Sequence, residues 1–539
     1  MPRYAYEPFP YTTPPELSGG VPSDAPVLIV GAGPIGLAAA IDLALHGVKS
    51  IVVDDNNVVS VGSRAICWAK RTLEIFDRLG VGDRMVEKGV TWQVGRLFHR
   101  DREVYSFDLL PEDGHKMPAF INLQQYYVEQ YLVERCADFP DLIDLRWVNR
   151  VVGVRQTGSG VEADIETPDG AYTLFAAYLL ACDGAKSAVR GMMDLDFAGR
   201  IFEERFLIAD VEMKADFPSE RWFWFEPPFH KGQSALLHKQ PDDIYRIDLQ
   251  LGWDADPEEE KKPENVVPRI KAVVGDRPFE LDWVSVYTFQ CRRLERFVHD
   301  RVIFVGDSAH IVSPFGARGG NGGIQDVDNL VWKLAATLKG AAPAGLLETY
   351  NAERIHGADE NILNSARTTS FMTPKTTNET LFREAVLDLA GDLPFARRLV
   401  NSGRLSQPCS LEGFDLQTPA DDGPGLAPGL PCPDAPVTGT APGANDDGWL
   451  LKHLGGDFCV LTLSADDDAP ATDRLPEVRV ARNRNGREAT LVDRTGQAFE
   501  RYGSDLSYLI RPDQHIAARF APGDGAALDA ALERATGRN

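Results

Sequence analysis

One stretch near the N-terminus constrains the fold more than any other: "VLIVGAGPIGLAAAIDLALHGVKSIVVDD", residues 27–55. A short apolar strand is followed by Gly31, Gly33 and Gly36 at GxGxxG spacing, and then by a helix and a second strand. In such a unit the first glycine makes the turn, the second lets a pyrophosphate approach, and the third lets helix and strand pack closely. The helix N-terminus faces the phosphates. The stretch predicts a Rossmann-like α/β unit that binds an adenine dinucleotide.

An acid stands where such a unit needs one. Asp54 ends the second strand, 23 residues after Gly31, and can accept both ribose hydroxyls of the dinucleotide. The fingerprint alone does not separate NAD from FAD.

Composition limits the remaining possibilities. A chain of 539 residues is expected to form three or four domains. A formal charge of −24 argues against nucleic acid or an anionic membrane surface as the main partner, but a cleft can still attract an anionic small substrate. The apolar runs are too short to span a bilayer, and the first 20 residues lack the apolar helix of a signal peptide. We expect a cytoplasmic protein.

The cysteines give no sign of a metal site. Seven cysteines occur singly, at 67, 136, 182, 291, 409, 432 and 459, without CxxC or other ligand spacing. We expect reduced, structural thiols and no bound metal.

Two later stretches extend the dinucleotide pattern. "AAYLLACDGAKSAVR" is a strand that ends at Asp183 and leads into a basic turn with Lys186 and Arg190. "RVIFVGDSAH" is a strand that ends in Gly306 and Asp307. Either pair alone would be an ordinary turn. Together and in this order, the three stretches resemble the signatures of the single-component FAD-dependent aromatic hydroxylases. This family includes 4-hydroxybenzoate, phenol and 3-(3-hydroxyphenyl)propionate hydroxylases. The match runs from residue 27 to about 360.

The resemblance implies FAD as the bound cofactor and assigns roles to individual residues. Asp54 would bind the adenosine ribose, Arg64 the pyrophosphate, and Gln125 or its neighbour Gln124 the ribityl chain. Gly306 and Asp307 would hold a ribityl hydroxyl, and Asp183 would serve both FAD and the reduced nicotinamide cofactor.

The glycine-rich stretch "GDSAHIVSPFGARGGNGGIQDVDN", residues 306–329, resembles the segment under the flavin ring. A helix beginning near Asn321 would direct the backbone N–H groups of Gly320 and Asn321 at the flavin N1 and C2 carbonyl, where reduction places negative charge. Pro314 would turn its carbonyl toward the reacting position of the substrate. Arg318 adds positive charge beside the ring, and it either tunes the flavin or steers anions.

The activity implied by the resemblance is hydroxylation of a phenolic or hydroxylated aromatic substrate through a C4a-hydroperoxyflavin, with NADH or NADPH and O₂ as co-substrates. The chain has a single strand–glycine turn–helix unit, so the nicotinamide cofactor is expected to bind transiently. Two alternatives stay open. "WFWFEP" superficially resembles the WxWxIP motif of flavin-dependent halogenases, and a flavin-binding sensor of an aromatic ligand would need no turnover.

Residues 205–290 are strand-like and aromatic-rich and are expected to roof the active site. Period-two alternation puts Trp222 and Trp224 on one face of a strand and Phe223 and Phe225 on the other. Arg246 resembles a family arginine near the flavin, or else it is an exposed surface residue. His238 is a candidate to contact or deprotonate a phenol, or else it is structural.

The predicted fold is α/β: a Rossmann-like FAD-binding domain, an interleaved β-sheet substrate domain and a small thioredoxin-like C-terminal domain. The C-terminal segment lacks CxxC, so packing or contact in a homodimer is its expected role. The predicted ranges are an irregular lead-in at 1–25, the FAD-binding domain at 26–199, the substrate sheet at 200–300, the rest of the FAD domain at 301–401, a linker at 402–447 and the C-terminal domain at 448–539.

Overall fold

The structure is a computed structural model that describes residues 4–20, 24–314, 316–400, 407–419, 423–439, 448–482 and 490–538. Its α-helices are α1 Pro15–Ser18, α2 Pro34–Leu45, α3 Lys70–Arg78, α4 Gly82–Lys88, α5 Gln125–Cys136, α6 Ala188–Met192, α7 Pro257–Glu260, α8 Pro263–Val274, α9 Gly319–Leu338, α10 Leu346–Met372, α11 Thr377–Ala390, α12 Pro394–Val400, α13 Gln497–Tyr502 and α14 Gly525–Ala535. None of the helices in these ranges has the length and apolarity to cross a membrane.

The strands are β1 Val27–Val30, β2 Ser50–Asp54, β3 Cys67–Ala69, β4 Val90–Trp92, β5 Val94–His99, β6 Arg102–Asp108, β7 Phe120–Asn122, β8 Ile143–Trp147, β9 Arg150–Gln156, β10 Val161–Thr167, β11 Gly170–Ala176, β12 Tyr178–Ala181, β13 Ala198–Glu212, β14 Arg221–Phe225, β15 Ser234–Lys239, β16 Ile244–Leu251, β17 Glu280–Arg293, β18 Val298–His299, β19 Val302–Phe304, β20 His310–Ile311, β21 Cys459–Leu463, β22 Glu477–Ala481, β23 Thr490–Val492, β24 Leu506–Ile510 and β25 Ile516–Phe520.

A six-stranded sheet forms the centre of the nucleotide-binding half. Its strand order is β18-β19-β12-β1-β2-β8, and all neighbours except β18 and β19 run parallel. Every residue of β1 and β12 is buried, as expected for strands covered on both faces. The predicted order of strand, glycine turn, helix and strand is present as β1, α2 and β2, and α2 packs against α9.

An eight-stranded sheet forms the second half, in the order β20-β17-β13-β16-β15-β14-β5-β6. It is more extensive than the 200–300 range expected from the sequence, because β5 and β6 come from residues 94–108 and β20 from beyond residue 300. The short strands β3, β7 and β4 form a separate sheet. Nothing in the alternation of residues 94–108 indicates which distant strand they will join.

The two faces of the eight-stranded sheet have different coverings. On the outer face, residues such as Leu237, Ile247 and Leu249 pack against α8 through Val266 and Ile270. On part of the inner face, apolar residues of β5, β13, β14 and β15 pack against the end of α10 and against α11 and α12. The rest of the inner face is polar and is described below.

The C-terminal segment forms a five-stranded mixed sheet, β23-β22-β21-β24-β25, with α13 and α14. Part of the predicted linker belongs to this unit, since Cys432, Ala435 and Val437 lie in its core. Cys459 lies buried on β21, and each of the seven cysteines is unpaired.

A buried ionic network ties the C-terminal unit to the helices of the first half. Arg511 donates to both carboxylate oxygens of Glu353 on α10 (2.8 and 3.0 Å), and Lys333 on α9 donates to the same carboxylate (2.7 Å). Arg71 on α3 donates to Asp328 on α9 (2.9 Å) and to the carbonyl of Asp513 (2.7 Å). The segment that follows β24 is therefore linked by ionic contacts to the middle and C-terminal part of α9.

Candidate active site

The three sequence motifs, although up to 276 residues apart, meet at one edge of the six-stranded sheet. Gly31, Asp183 and Gly306 follow the neighbouring strands β1, β12 and β19, and Asp54 ends β2 beside them. The carboxyl ends of parallel strands are where open α/β sheets bind their ligands. The strand order brings these predicted residues together.

The glycines of the N-terminal turn differ in what surrounds them. Gly31 has φ +105°, and a Cβ there would lie 2.5 Å from the carbonyl oxygen of Cys182. A Cβ on Gly36 would lie 1.9 Å from the carbonyl oxygen of Gly31, so this glycine lets α2 pack on the turn. A Cβ on Gly33, at the N-cap of α2, would meet nothing within 4 Å. Only Gly33 faces open space, as a position approached by a ligand would.

This difference predicts opposite effects for two substitutions. Gly36→Ala forces a methyl group against backbone and should lower the free energy of unfolding by about 3 kcal/mol. Gly33→Val should change it by no more than about 1 kcal/mol while weakening FAD binding by about tenfold or more. Chemical denaturation of the FAD-free protein and a flavin fluorescence titration measure the two effects. Equal loss of stability in both variants would contradict the assignment.

Asp54 and Asp183 are held by backbone groups. Asp54 accepts hydrogen bonds from the N–H groups of Ala32 (2.6 Å) and Asn56 (2.8 Å). Asp183 accepts one from the N–H of Val189 (3.0 Å) at the start of α6. Burial raises the pKa of both carboxyl groups. Each acid is therefore fixed in orientation at the sheet edge.

Asp307 is different. Its carboxylate is half-buried, and none of the described residues donates a hydrogen bond to it. Burial raises its pKa, and repulsion from Asp326 adds to the effect, although His310 opposes it. A Cβ on Gly319 would lie 3.9 Å from Asp307 Oδ1, so the acid stands at the start of α9. A buried acceptor without a donor is costly unless a ligand supplies the donor.

The N-terminus of α9 is built from glycines, but they do not all leave space for a ligand. The helix begins at Gly319, two residues before the expected start near Asn321. A Cβ on Gly323 would lie 2.6 Å from Ile35 Cδ1 and 3.2 Å from Gly306 Cα, so this glycine serves helix packing. A Cβ on Gly320 would approach the Trp68 ring at 3.2 Å. The shortage of side chains therefore has two causes: packing of α9 and access to its first turn.

Asn321 anchors this helix end through its side chain. Its Oδ1 accepts from the N–H of Ala69 (2.9 Å), and its Nδ2 donates to the carbonyls of Cys67 (2.8 Å) and Ala317 (2.6 Å). Arg318 is buried at the N-cap of the helix. The carbonyl of Pro314 accepts from the N–H of Ala317 (3.1 Å), so one of its lone pairs is used in a turn.

The loop before β3 brings Arg64 and Gln125 to the same region. Gln125 Oε1 accepts from the N–H of Ala65 (3.2 Å), and its Nε2 donates to Ser60 and Glu129. Arg64 is exposed, and both Arg64 (φ +36°) and Ala317 (φ +52°) adopt positive φ. Non-glycine residues held in this region are strained and cluster at functional sites. Gln124, the alternative to Gln125, is fully buried and donates to the carbonyl of Pro241.

A row of polar side chains crosses four adjacent strands on the inner face of the eight-stranded sheet. Asp210, Arg246, His238 and Arg221 are successive cross-strand partners on β13, β16, β15 and β14. We refer to these four residues as the polar row. The sequence pointed to Arg246 and His238 but missed Asp210 and Arg221. Since Arg221 alternates with Trp222 in "RWFWF", period two could have placed it on the face of Phe223.

Arg246 is buried, so the alternative of an exposed surface arginine is wrong. Its Nε donates to Asp210 (3.1 Å), its Nη1 to the carbonyl of Arg64 (2.7 Å), and its Nη2 to Ser63 Oγ. Asp210 and Ser63 are also hydrogen-bonded. The guanidinium thus joins the eight-stranded sheet to the loop that carries Arg64.

His238 is buried, and its Nδ1 lies 4.0 Å from Cys67 Sγ. Burial, followed by repulsion from Arg221 and Arg246, holds the pKa of His238 well below its ordinary value. The ring is therefore neutral and binds an additional proton weakly. Cys67 also donates to Asn122 (3.3 Å), and its own pKa is raised to about 11 by burial, so the thiol is protonated.

Asp248 is a further residue that the sequence interpretation missed. It lies two residues after Arg246 on β16 and therefore points to the same face. Its Oδ1 is buried without a hydrogen bond from the described residues. Burial, opposed by Arg246, raises the pKa of Asp248 to about 6. Of the polar groups on this face, Asp248 has the pKa best suited to accept a proton near neutral pH.

Two other groups of side chains make structural contacts. His310 Nε2 lies 2.6 Å from Asp326 Oδ2, and Arg354 Nε donates to Asp326 Oδ1 (2.6 Å), so His310 is part of a buried ionic cluster that joins α9 and α10. Trp222 and Trp224, in the halogenase-like stretch, lie on the outer face of the sheet with the α8 cluster. Phe223 and Phe225 pack on the inner face, which confirms the predicted alternation.

Comparison with known proteins adds independent information. Residues 24–365 match the family model described as an FAD binding domain. The chain is 27% identical over 381 residues to a 3-(3-hydroxy-phenyl)propionate/3-hydroxycinnamic acid hydroxylase of Mycolicibacterium smegmatis, covering 70% of this chain and 67% of that protein. It is 31% identical over 350 residues to a flavin-dependent monooxygenase of Mycobacteroides abscessus, covering 61% and 71%. The crystal structure of the flavin-dependent monooxygenase PieE in complex with FAD and substrate has the same fold, with a TM-score of 0.78, 22% identity and coverage of 96% and 99%.

Proposed function

This chain belongs to the family of flavoproteins that share the FAD binding domain, and from that premise we propose that it hydroxylates an aromatic substrate with O₂ and NADH or NADPH. The relatives named as hydroxylases and monooxygenases support the reaction class. The supporting observation in the structure is the position of the polar row. The row lies close to the N-terminus of α9, because Cys67 connects the two. The side chain of Cys67 lies beside His238, and its carbonyl accepts a hydrogen bond from Asn321 in the first turn of α9.

The residues at the sheet edge fit FAD. Gly33 leaves room for a pyrophosphate at the N-terminus of α2, and Asp307 offers a carboxylate to which no described residue donates. Gly31 and Gly36 would shape the turn for the adenosine half, and Asp54 would hold its ribose. Arg64, Gln125, Asp183, Gly306 and Asp307 would hold the rest. When bound, FAD supplies the redox chemistry by which electrons from NADH or NADPH activate O₂.

The chain's own residues would orient the substrate and control charge. Backbone N–H groups at Gly320 and Asn321 point along the first turn of α9 and favour negative charge there. Arg246, fixed by Asp210, adds a positive charge between the sheet and the Arg64 loop. We assign Pro314 to the substrate side of this turn. The neutral His238 would hydrogen-bond to the substrate, and Asp248 would accept the proton of its hydroxyl group.

The assignment of Asp248 predicts a pH dependence. Below about pH 6 this carboxyl group carries a proton and cannot accept another, so kcat/KM should fall as the pH drops through that value. Asp248→Asn should lower kcat/KM at neutral pH by about a hundredfold and abolish this acidic limb. Because folding raises the pKa of Asp248, the proton that it binds favours the folded state at low pH, and this contribution is lost as the pH rises through about 6. Asp248→Asn should therefore not destabilise the protein at neutral pH. An unchanged pH profile in the variant would contradict the role.

The transient nicotinamide cofactor would approach from the Asp183 side. Arg190 follows the Asp183 turn, donates to the carbonyl of Ser308 (3.1 Å) and stacks on Phe197 at 3.9 Å. Arg292 lies over the same ring. These cations near two of the FAD motifs could attract the phosphates of NADH or NADPH. We also propose a cytoplasmic location, supported by seven unpaired cysteines, and a thioredoxin-like C-terminal domain without a redox role.

A screen tests the proposed function. The FAD-loaded protein is mixed with NADH or NADPH and a panel of phenols and hydroxylated aromatic acids, and cofactor oxidation and products are followed. We expect at least one compound to stimulate oxidation and to gain a hydroxyl group. Halogenated product formed only with chloride or bromide would favour the halogenase, and binding without stimulated oxidation would favour the sensor.

A further inference from the structure

Several deep arginines among the described residues are paired with carboxylates. Examples with contacts between 2.6 and 3.1 Å are Arg71 with Asp328, Arg78 with Asp42, Arg246 with Asp210, Arg354 with Asp326 and Arg511 with Glu353. Pairing is expected because an uncompensated charge in the interior costs several kcal/mol. A guanidinium turned toward the interior that lacks such a partner therefore needs a separate explanation.

Arg221, at the end of the polar row, is partly buried and lacks such a partner. Within the described ranges, no carboxylate lies within 4 Å of its guanidinium, and the side chain makes no hydrogen bond. Burial lowers the pKa of Arg221, which shows that its surroundings disfavour the charge. Arginine nevertheless stays protonated in proteins. Its charge is therefore left uncompensated by direct contact.

The neighbours of Arg221 on the inner face do not supply the missing anion. His238, its cross-strand partner on β15, is neutral, and the thiol of nearby Cys67 is protonated. The Asp248 carboxylate favours the charged form of Arg221 through space, but it does not form an ion pair with the guanidinium. On the other side lies Gly95, where a Cβ would strike the ring of Phe107 at 2.2 Å. The guanidinium stands between a neutral imidazole and an aromatic wall.

We propose that the substrate carries an anionic group, a carboxylate or its equivalent, that is bound by Arg221 at the end of the polar row. The inference rests on the proposed function, because it takes the inner face of the sheet as the substrate site. A carboxylate can accept two parallel hydrogen bonds from a guanidinium, and His238 beside it can donate a third. The aromatic ring would then extend from Arg221 toward Asp248 and the first turn of α9. A local positive site would attract such a substrate against the −24 net charge of the chain.

Matched ligands and variants test the proposal. The FAD-loaded protein is titrated with hydroxyphenyl carboxylic acids of increasing side-chain length, each compared with its primary amide, and binding is followed by the visible flavin spectrum. We expect at least one acid to bind about tenfold or more tightly than its amide. Arg221→Gln should weaken that acid by about 30-fold and its amide by less than about threefold. Arg221→Lys should retain part of the preference.

Arg102→Gln is the matched control, because Arg102 is on β6 of the same sheet and its side chain is 58% exposed. It should leave both affinities unchanged. Circular dichroism and FAD content show whether each variant is folded. The proposal is overturned if no acid binds more tightly than its amide, or if the preference survives in Arg221→Gln. Stimulated NADH or NADPH oxidation is measured in parallel. A preference for the acid that depends on Arg221, without stimulated oxidation, supports anion binding but rejects the proposed hydroxylase. Stimulated oxidation without such a preference supports the hydroxylase but rejects anion binding by Arg221.

Discussion

Asp307→Asn should weaken FAD binding by about tenfold to a hundredfold while leaving the FAD-free protein at least as stable as the wild type. The half-buried carboxylate of Asp307 receives no hydrogen bond from the described residues, and burial raises its pKa. In the FAD-free protein its charge therefore opposes folding, whereas a ribityl hydroxyl would give it a donor. Neutralising the side chain removes the cost and the binding partner together. Flavin fluorescence titration and chemical denaturation measure the two quantities.

Measuring FAD affinity together with stability distinguishes a role of Asp307 in FAD binding from a purely structural role. Asp138→Asn, at a surface carboxylate that is 59% exposed, is the control and should change neither quantity. A purely structural role for Asp307 would lower the stability of the FAD-free protein. Unchanged FAD affinity in Asp307→Asn would contradict the placement of the ribityl chain at this acid.

Glu353→Gln should lower the free energy of unfolding by about 3 to 5 kcal/mol, the largest loss expected from a single conservative change here. Glu353 is buried between Arg511 and Lys333 and accepts hydrogen bonds from both. These cations hold the pKa of Glu353 far below its ordinary value, against the effect of burial. Removing the charge leaves two cations with reduced compensation at the junction between α9, α10 and the C-terminal unit. Denaturant unfolding measures the effect.

The depressed pKa of Glu353 also predicts how the stability of the protein depends on pH. Because the pKa of Glu353 is depressed in the folded state, its contribution is complete above the unfolded value of about 4.5 and is lost as the pH falls further. The control is Glu348→Gln, in which the lost partner is Arg296 and both side chains are about half exposed. This change should cost less than about 1 kcal/mol. Equal effects of the two substitutions would show that the buried network does not hold the C-terminal unit.

The nucleotide-binding half was the more predictable part of the fold. Gly31, Gly33 and Gly36 are close in sequence, and the physical reasons for glycine at each position are local. The Asp183 and Asp307 stretches each end an apolar strand, and parallel strands bring their ends to one edge regardless of separation along the chain. The strand order β19-β12-β1-β2 was needed to show that these ends are neighbours.

The substrate half was less predictable because its contacts are between strands far apart in sequence. Alternation placed Phe223 and Trp224 on opposite faces, but it does not indicate which face carries the polar row. The roles of Arg221 and Asp248 could not be predicted from the sequence, because they depend on the strand register that sets which residues of other strands lie beside them. The C-terminal network was also invisible, because Arg511 and Glu353 are 158 residues apart.

We propose that this protein transfers one oxygen atom from O₂ to an aromatic ring. The most direct measurement is mass spectrometry of the product formed under oxygen-18 gas, with FAD-loaded protein, NADH or NADPH and an aromatic compound that stimulates oxidation. We predict a product that is heavier than the substrate by one labelled oxygen atom and carries no label from oxygen-18 water. A product labelled from water, or cofactor oxidation that yields only hydrogen peroxide with every aromatic compound tested, would contradict the account.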